Sequence, residues 1–154
     1  MKKENLIIAF LILILFFVLF YFLKFQNQNS NFENYETSNI SINEIELKVY
    51  LADNDKKRTL GLSGSAKLKQ NEGMLFIFKK EGVQKFWMKN MNYPIDIFFF
   101  NQNQKLVFVK ENAKPESFPE SFGPDEKILY VLETNAFFKT KNNIKLGDIF
   151  QFSD

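Results

Sequence analysis

From Leu6 to Leu23 the chain reads LIIAFLILILFFVLFYFL, 18 consecutive residues without a charge or a strong helix breaker. No other segment restricts the architecture so tightly. At about 1.5 Å of rise per residue such a helix covers roughly 27 Å, close to the hydrocarbon thickness of a bilayer. Phe25 extends the run if Lys24 snorkels to the headgroups, and Tyr21 falls where an interfacial aromatic belongs. A cleavable signal would have an apolar region of about 7–15 residues and a small-residue cleavage site. Lys24-Phe25-Gln26-Asn27-Gln28 offers no such site. The sequence therefore predicts a short N-terminus over residues 1–5 and an uncleaved transmembrane helix over residues 6–25. Lys2 and Lys3 precede the helix, whereas only Lys24 follows it before Lys48. Lys and Arg close to a span favour the cytoplasmic side. The expected topology is single-pass in the cell membrane, N-terminus cytoplasmic, C-terminal domain extracytoplasmic.

Residues 26–43, QNQNSNFENYETSNISIN, are polar and Asn-rich. Such a stretch buries too little apolar surface to offset its ordering entropy, so it reads as a flexible linker. Residues 44–154 then form the domain. Ile45, Leu47, Val49 and Leu51 alternate with polar residues, as in a half-buried strand. Asp53 or Asn54 is placed to cap a short helix ending at Gly61. Met74 to Phe78 is a strand too apolar for one wet face, and Lys79-Lys80-Glu81-Gly82 reads as a turn. Gln84 to Met88 is a further strand, ending before Pro94. Ile95–Phe100 and Lys105–Lys110 suggest a hairpin. Asn112 to Asp125 holds three prolines and reads as a long loop. Ile128–Glu133 and Ile149–Phe152 are strands, with a short helical turn after Asn135. The expected fold is mostly β: a single-domain β-sandwich or partly closed, jelly-roll-like barrel with one or two short helices, preceded by the transmembrane helix.

Composition removes several chemistries. The chain has no Cys and no His, so thiolate nucleophiles, disulfides, imidazole acid/base catalysis and imidazole metal ligands are out. A net charge of +2 gives no basic footprint for nucleic acid. Met74, Met88 and Met91 would suit soft Cu(I), but methionine more often fills gaps in a core. Neither a metal nor a cofactor is expected.

One segment departs from plain strand alternation. Phe86-Trp87-Met88-Lys89-Asn90, then Pro94-Ile95-Asp96, hold the only Trp together with a Lys, an Asn and an Asp. A strand ending in polar residues before a Pro can set Lys89, Asn90 and Asp96 around one cleft, with Trp87 stacking on a planar or sugar-like ligand. The plainer alternative has Trp87 in the core, Lys89 paired with Asp96, and Asn90 holding turn backbone. Arg58 can pair a carboxylate bidentately. Glu133 ends an apolar strand and is either solvated or paired with Arg58 or Lys89. Asp96 and Glu133 together could do acid/base work.

These residues carry a resemblance. Arg58-Thr59-Leu60-Gly61-Leu62, Gly73 to Phe78, Phe86 to Asn90, Pro94 to Phe99, Ala113-Lys114-Pro115, Val131-Leu132-Glu133 and Lys145 to Asp148 together resemble the bacterial and archaeal family known as domain of unknown function 192. The likeness spans nearly all of Ile45 to Phe152. It departs at Asn135 to Phe138, which lacks the family's usual glycine, and at Ser63-Gly64-Ser65 in place of Met-Gly-Arg-like residues. The resemblance implies a small β-sandwich, often behind an export signal or anchor, and brings no established activity. The leading expectation is an extracytoplasmic binding or interaction module whose partner is an envelope ligand or protein. A hydrolase using carboxylate or Lys chemistry, and a purely structural envelope protein, are the rivals.

Overall fold

Strands β2 (Ile45–Ala52) and β3 (Glu72–Gly82) lie side by side and parallel. Parallel neighbours cannot be joined by a hairpin, so the chain between them must cross the sheet. The crossing segment, residues 53–71, carries α2 (Asp55–Leu60) and lies over one face of the sheet. The Asn54 side chain caps α2 by accepting from Lys57 N at 3.0 Å, and Gly61 closes it at φ 53°. The expected cap and stop are both present.

The computed structural model describes residues 3–26 and 32–153, of which residues 4–6 and 22–26 by backbone alone. The chain divides into two units, Met1–Glu33 and Asn34–Asp154. The first carries α1 (Lys3–Gln26), whose described apolar side chains from Ile7 to Tyr21 are all exposed. Among the described residues no helix is long and apolar enough to cross a membrane. The expected transmembrane span includes residue 6 and residues 22–25, whose side chains lie outside the described residues, and it receives no support from the structure.

The second unit is built on a curled seven-stranded sheet. Its other strands are β1 (Thr37–Ile42), β5 (Ile95–Phe100), β6 (Leu106–Ala113), β8 (Ile128–Asn135) and β9 (Phe150–Ser153), in the order β6-β5-β8-β3-β2-β1-β9. All pairs except β2–β3 are antiparallel. The two edges meet at one end. Lys105 bridges Ile149, Leu106 N donates to Asp148 O at 2.8 Å, and Phe150 N donates to Gln104 O at 3.1 Å. A partly closed barrel, rather than two stacked sheets, is therefore the architecture; the sandwich expectation is corrected.

Several boundaries also change. The linker expected through Asn43 ends sooner, because Thr37–Ile42 pairs with both β2 and β9. Ile40 and Ile42 are fully buried, which repays the ordering of that polar stretch. The earlier part of the linker, residues 27–31, lies outside the described residues. Lys79 to Gly82 is not a turn: β3 runs on through it, with a register shift between Ile77 and Gly82. The strand expected over Gln84 to Met88 shrinks to β4 (Phe86–Trp87), paired with β7 (Ser121–Phe122) inside the proline-rich loop. The expected hairpin is present as β5–β6.

Two apolar layers explain why β5 reads Ile-Asp-Ile-Phe-Phe-Phe and is buried along its whole length. Side chains alternate across a sheet. Leu75, Phe98 and Leu132 share the concave face with Val49, Ile40 and Phe150. Met74, Phe76, Ile97, Phe99, Val131 and Glu133 share the opposite face, by the pairings Met74↔Glu133, Phe76↔Val131 and Ile97↔Glu133. Phe86 of the β4–β7 ribbon seals that outer face, edge-to-face with Phe76 at 4.8 Å and Phe99 at 5.7 Å.

Asp96 sits on the concave side, fully buried, and accepts from three backbone N–H groups: Asn112 at 2.8 Å, Phe137 at 3.1 Å and Lys139 at 3.0 Å. It ties the end of β6 to α3 (Phe138–Lys141), which Phe137 enters at φ 66°. Asp96 thus caps that short helix from another strand. Removing the carboxylate takes the acceptor from three partly buried backbone donors, each loss costing about 1–3 kcal/mol. We expect Asp96→Ala to lower the unfolding free energy by about 3–5 kcal/mol in urea titration. A loss below about 1 kcal/mol would contradict this structural role.

Candidate functional site

A cleft of ≈ 460 Å³ opens between the outer sheet face and the layer that covers it. Its sheet side is Phe76, Phe78 and Glu133; its cover is α2 with the following turn to Ser63, the segment Gln84–Trp87, and Met91. Each wall has a local cause. The α2 helix ends at Gly61, where the backbone turns to φ 53°, a conformation that glycine adopts without strain. Trp87 lies on the two-residue strand β4, so Met88 turns inward, fully buried, while Trp87 stays 56% exposed at the rim. Phe118 from the proline-rich loop packs edge-to-face on it at 6.1 Å.

Glu133 is the chemically distinctive group. It is 5% exposed, and its Oε2 is buried without a hydrogen-bond partner among the described residues. Burial pushes its pKa up to about 8, so near neutral pH the carboxyl is predominantly protonated. Nearby, the Tyr93 hydroxyl meets Ser65 Oγ at 2.9 Å and Ala66 O at 3.0 Å. Burial raises the Tyr93 pKa, its Ser65 contact opposes this, and the Glu133 charge adds to the rise.

The cations of the lining are already committed. Arg58 donates to Ile77 O at 2.7 Å, pairs with Asp55, and stacks its guanidinium 5.4 Å from the centre of the Phe78 ring. Lys85 is held by Gly123 O at 2.7 Å, Pro124 O at 3.0 Å and Asp125 at 2.9 Å. Neither bonds to Glu133, and the Lys89 ammonium lies over Trp87, so neither alternative read from the sequence holds: Glu133 is not solvated, and among the described residues it forms no ion pair with Arg58 or Lys89.

The six sequence candidates therefore separate. Arg58, Trp87 and Glu133 line one cleft. Lys89 is exposed beside it, its Nζ 5.8 Å from the centre of the Trp87 indole, and its carbonyl accepts from Ser63 Oγ at 2.9 Å. Asn90 is a turn residue at φ 56° whose carbonyl accepts from Gly64 N at 2.8 Å. Asp96 does not join Lys89 and Asn90 around a cleft, as expected, because its partners lie on the concave side. Asp96 and Glu133 cannot act as a pair either, because Ile97 is the register partner of Glu133 and Asp96 points to the other face. Sequence reading missed the walls Phe76, Phe78 and Phe86. The alternation Met74-Phe76-Phe78 was available, but its face is fixed only by register with β8. Among the described residues no three acidic side chains gather as metal ligands would.

The family model DUF192, described as an uncharacterised family, matches residues 37–152. No curated protein matches the chain. Among solved structures, a candidate transcription regulator from Sinorhizobium meliloti is 28% identical with a TM-score of 0.72, covering 77% of this chain and 95% of its own. A protein of unknown function from Novosphingobium aromaticivorans is 23% identical with a TM-score of 0.74, covering 79% of this chain and 89% of its own. The latter bears on the fold alone.

Glu133 also sets a pH dependence. Between its ordinary value of 4.5 and about 8 the folded chain holds a proton that the unfolded chain has lost. Stability therefore falls as pH climbs through that window and levels off above it. Glu133→Gln keeps the shape without the titration. We expect variant and wild type to unfold at similar urea concentrations below about pH 4, and the variant to be more stable, by up to a few kcal/mol, above about pH 8. A constant offset between the two across the range would contradict the burial argument.

Proposed function

The chain belongs to the DUF192 family, and from that premise we propose that it is a ligand-binding module of the cell envelope, with its site in the Glu133 cleft. One observation carries the reading: a buried carboxyl, without a partner among the described residues, lines a cavity of ≈ 460 Å³ with aromatic walls. Cavities of this size that combine aromatic walls with polar groups suit small molecules. Trp87 and Phe118, at 56% and 44% exposure, offer an exposed apolar rim for a ligand to cross. Single-pass anchoring over residues 6–25, with the domain outside, completes the proposal. It is supported by the uncharged run from Leu6 to Leu23 and by two Lys before it against one after.

A second reading, hydrolysis, draws on the same carboxyl. A Glu pushed up to about 8 in a cleft is poised as a general acid near neutral pH. It lacks a free companion: Asp55, the other carboxylate of the lining, pairs with Arg58. Binding without turnover is therefore preferred.

Ligand-observed NMR with envelope fragments and small metabolites tests the site. Ligands should be found, and Trp87→Ala should weaken them at least about tenfold while changing stability by less than about 1 kcal/mol, as expected for an exposed side chain. Ligands that bind this variant unchanged would place the site elsewhere. Protease added to intact cells should remove the domain; full protection would refute the outward orientation.

A further inference from the structure

The identity of the missing partner of Glu133 can be argued further, on the premise that the cleft binds a ligand. We infer that this ligand is an organic ammonium ion, its cationic head against Glu133 and its body against Phe76 and Phe86. Three observations converge. Glu133 is 5% exposed with Oε2 unpartnered, so the floor of the cleft has acceptor capacity that no group of the described chain uses. Both cations of the lining are held elsewhere, Arg58 by Asp55 and Ile77 O, Lys85 by Asp125 and two carbonyls. An anion would meet the carboxyl with no free cation to offset it.

The walls supply the third. Aromatic faces attract cations by their quadrupole. The outer aromatics already show this: Arg58 lies over Phe78 at 5.4 Å and Lys89 over Trp87 at 5.8 Å. Phe76 and Phe86 pack edge-to-face at 4.8 Å and line the same cleft, and among the described residues no cation stacks on them. Phe76 is a diagonal neighbour of Glu133 on the same sheet face, two residues along from Met74, which pairs with it. An ammonium at Glu133 would thus touch an aromatic wall and a carboxylate together.

Binding must then expel a proton. The carboxyl is protonated near neutral pH, and the arriving cation converts it to a carboxylate, the proton leaving to solvent. Affinity should rise with pH until the free protein is itself ionised, above about pH 8.

The full chain, kept in a neutral maltoside detergent, provides its own reporter, because Trp87 is the only tryptophan. Phenethylammonium, butylammonium and N-acetyl-lysine amide are titrated against the neutral phenethyl alcohol and the anionic phenylpropionate. The expected result is saturable change of Trp87 emission with the ammonium probes, at least about tenfold weaker binding in Glu133→Gln, and release of close to one proton per ligand at about pH 6 by calorimetry in buffers of different ionisation enthalpy. Preference for N-acetyl-lysine amide over the two simple amines would identify the source as a protein or peptide lysine; the reverse order would identify a free amine. If the alcohol or phenylpropionate binds as tightly, or Glu133→Gln binds the amines unchanged, the ammonium inference is overturned while the cleft remains a binding site. If no probe of any charge binds, both fall.

Discussion

The parallel pairing of β2 with β3 is the constraint from which the rest follows. Every other neighbour in the sheet is antiparallel and could be joined locally. This one pair obliges residues 53–71 to leave one end of the sheet and return to the other. The segment brings α2 over the outer face and turns it from a wet surface into a second buried layer. That layer has no closed core of its own. It rests on Phe86 and on the Arg58 hydrogen bond to Ile77 O, and between these supports it leaves the cleft open. Position and shape of the candidate site are thus by-products of topology.

Within this frame, two carboxylates on adjacent strands have opposite fates. Asp96 and Glu133 are one register step apart, which sends them to opposite faces. Asp96 meets three backbone donors, which together replace its lost hydration. Glu133 is buried at the cleft with Oε2 unpartnered among the described residues, so its lost hydration is not replaced there. The same residue chemistry becomes a structural anchor in one place and a protonated, buried acid in the other. Sequence alone treats them alike, because both are single acids in apolar strands.

Much of the fold was legible because its signals are local. The Asn54 cap and Gly61 stop of α2, the β5–β6 hairpin and the alternation of β2 are set by residues within a few positions of each other. What escaped reading depends on distant partners. Thr37–Ile42 looks like tether because only Ile40 and Ile42 are strongly apolar; its two neighbouring strands supply the rest. The Lys79 to Gly82 stretch looks like a turn but continues β3 across a register shift. For the site, Trp87, Arg58 and Glu133 stand out by residue type. Asp96 stood out equally and misleads, because the face on which a strand residue projects depends on register, which no single segment encodes.

Glu133 is also the place where the structure departs from the rules it otherwise follows. A Leu or Met of similar volume would fill the same space without desolvating a charge, and replacement of buried ionic groups by apolar ones is often neutral or stabilising. A lone carboxyl does not help specify the fold as Asp96 does, since Oε2 bonds to nothing among the described residues. Nor does the cover close over it: the cleft remains. Local violations of this kind, with no structural return, concentrate at functional sites. The cost of keeping an unpaired acid beneath an aromatic cleft is best accounted for by a partner that arrives from outside the chain, and the charge of that partner is dictated by the acid itself.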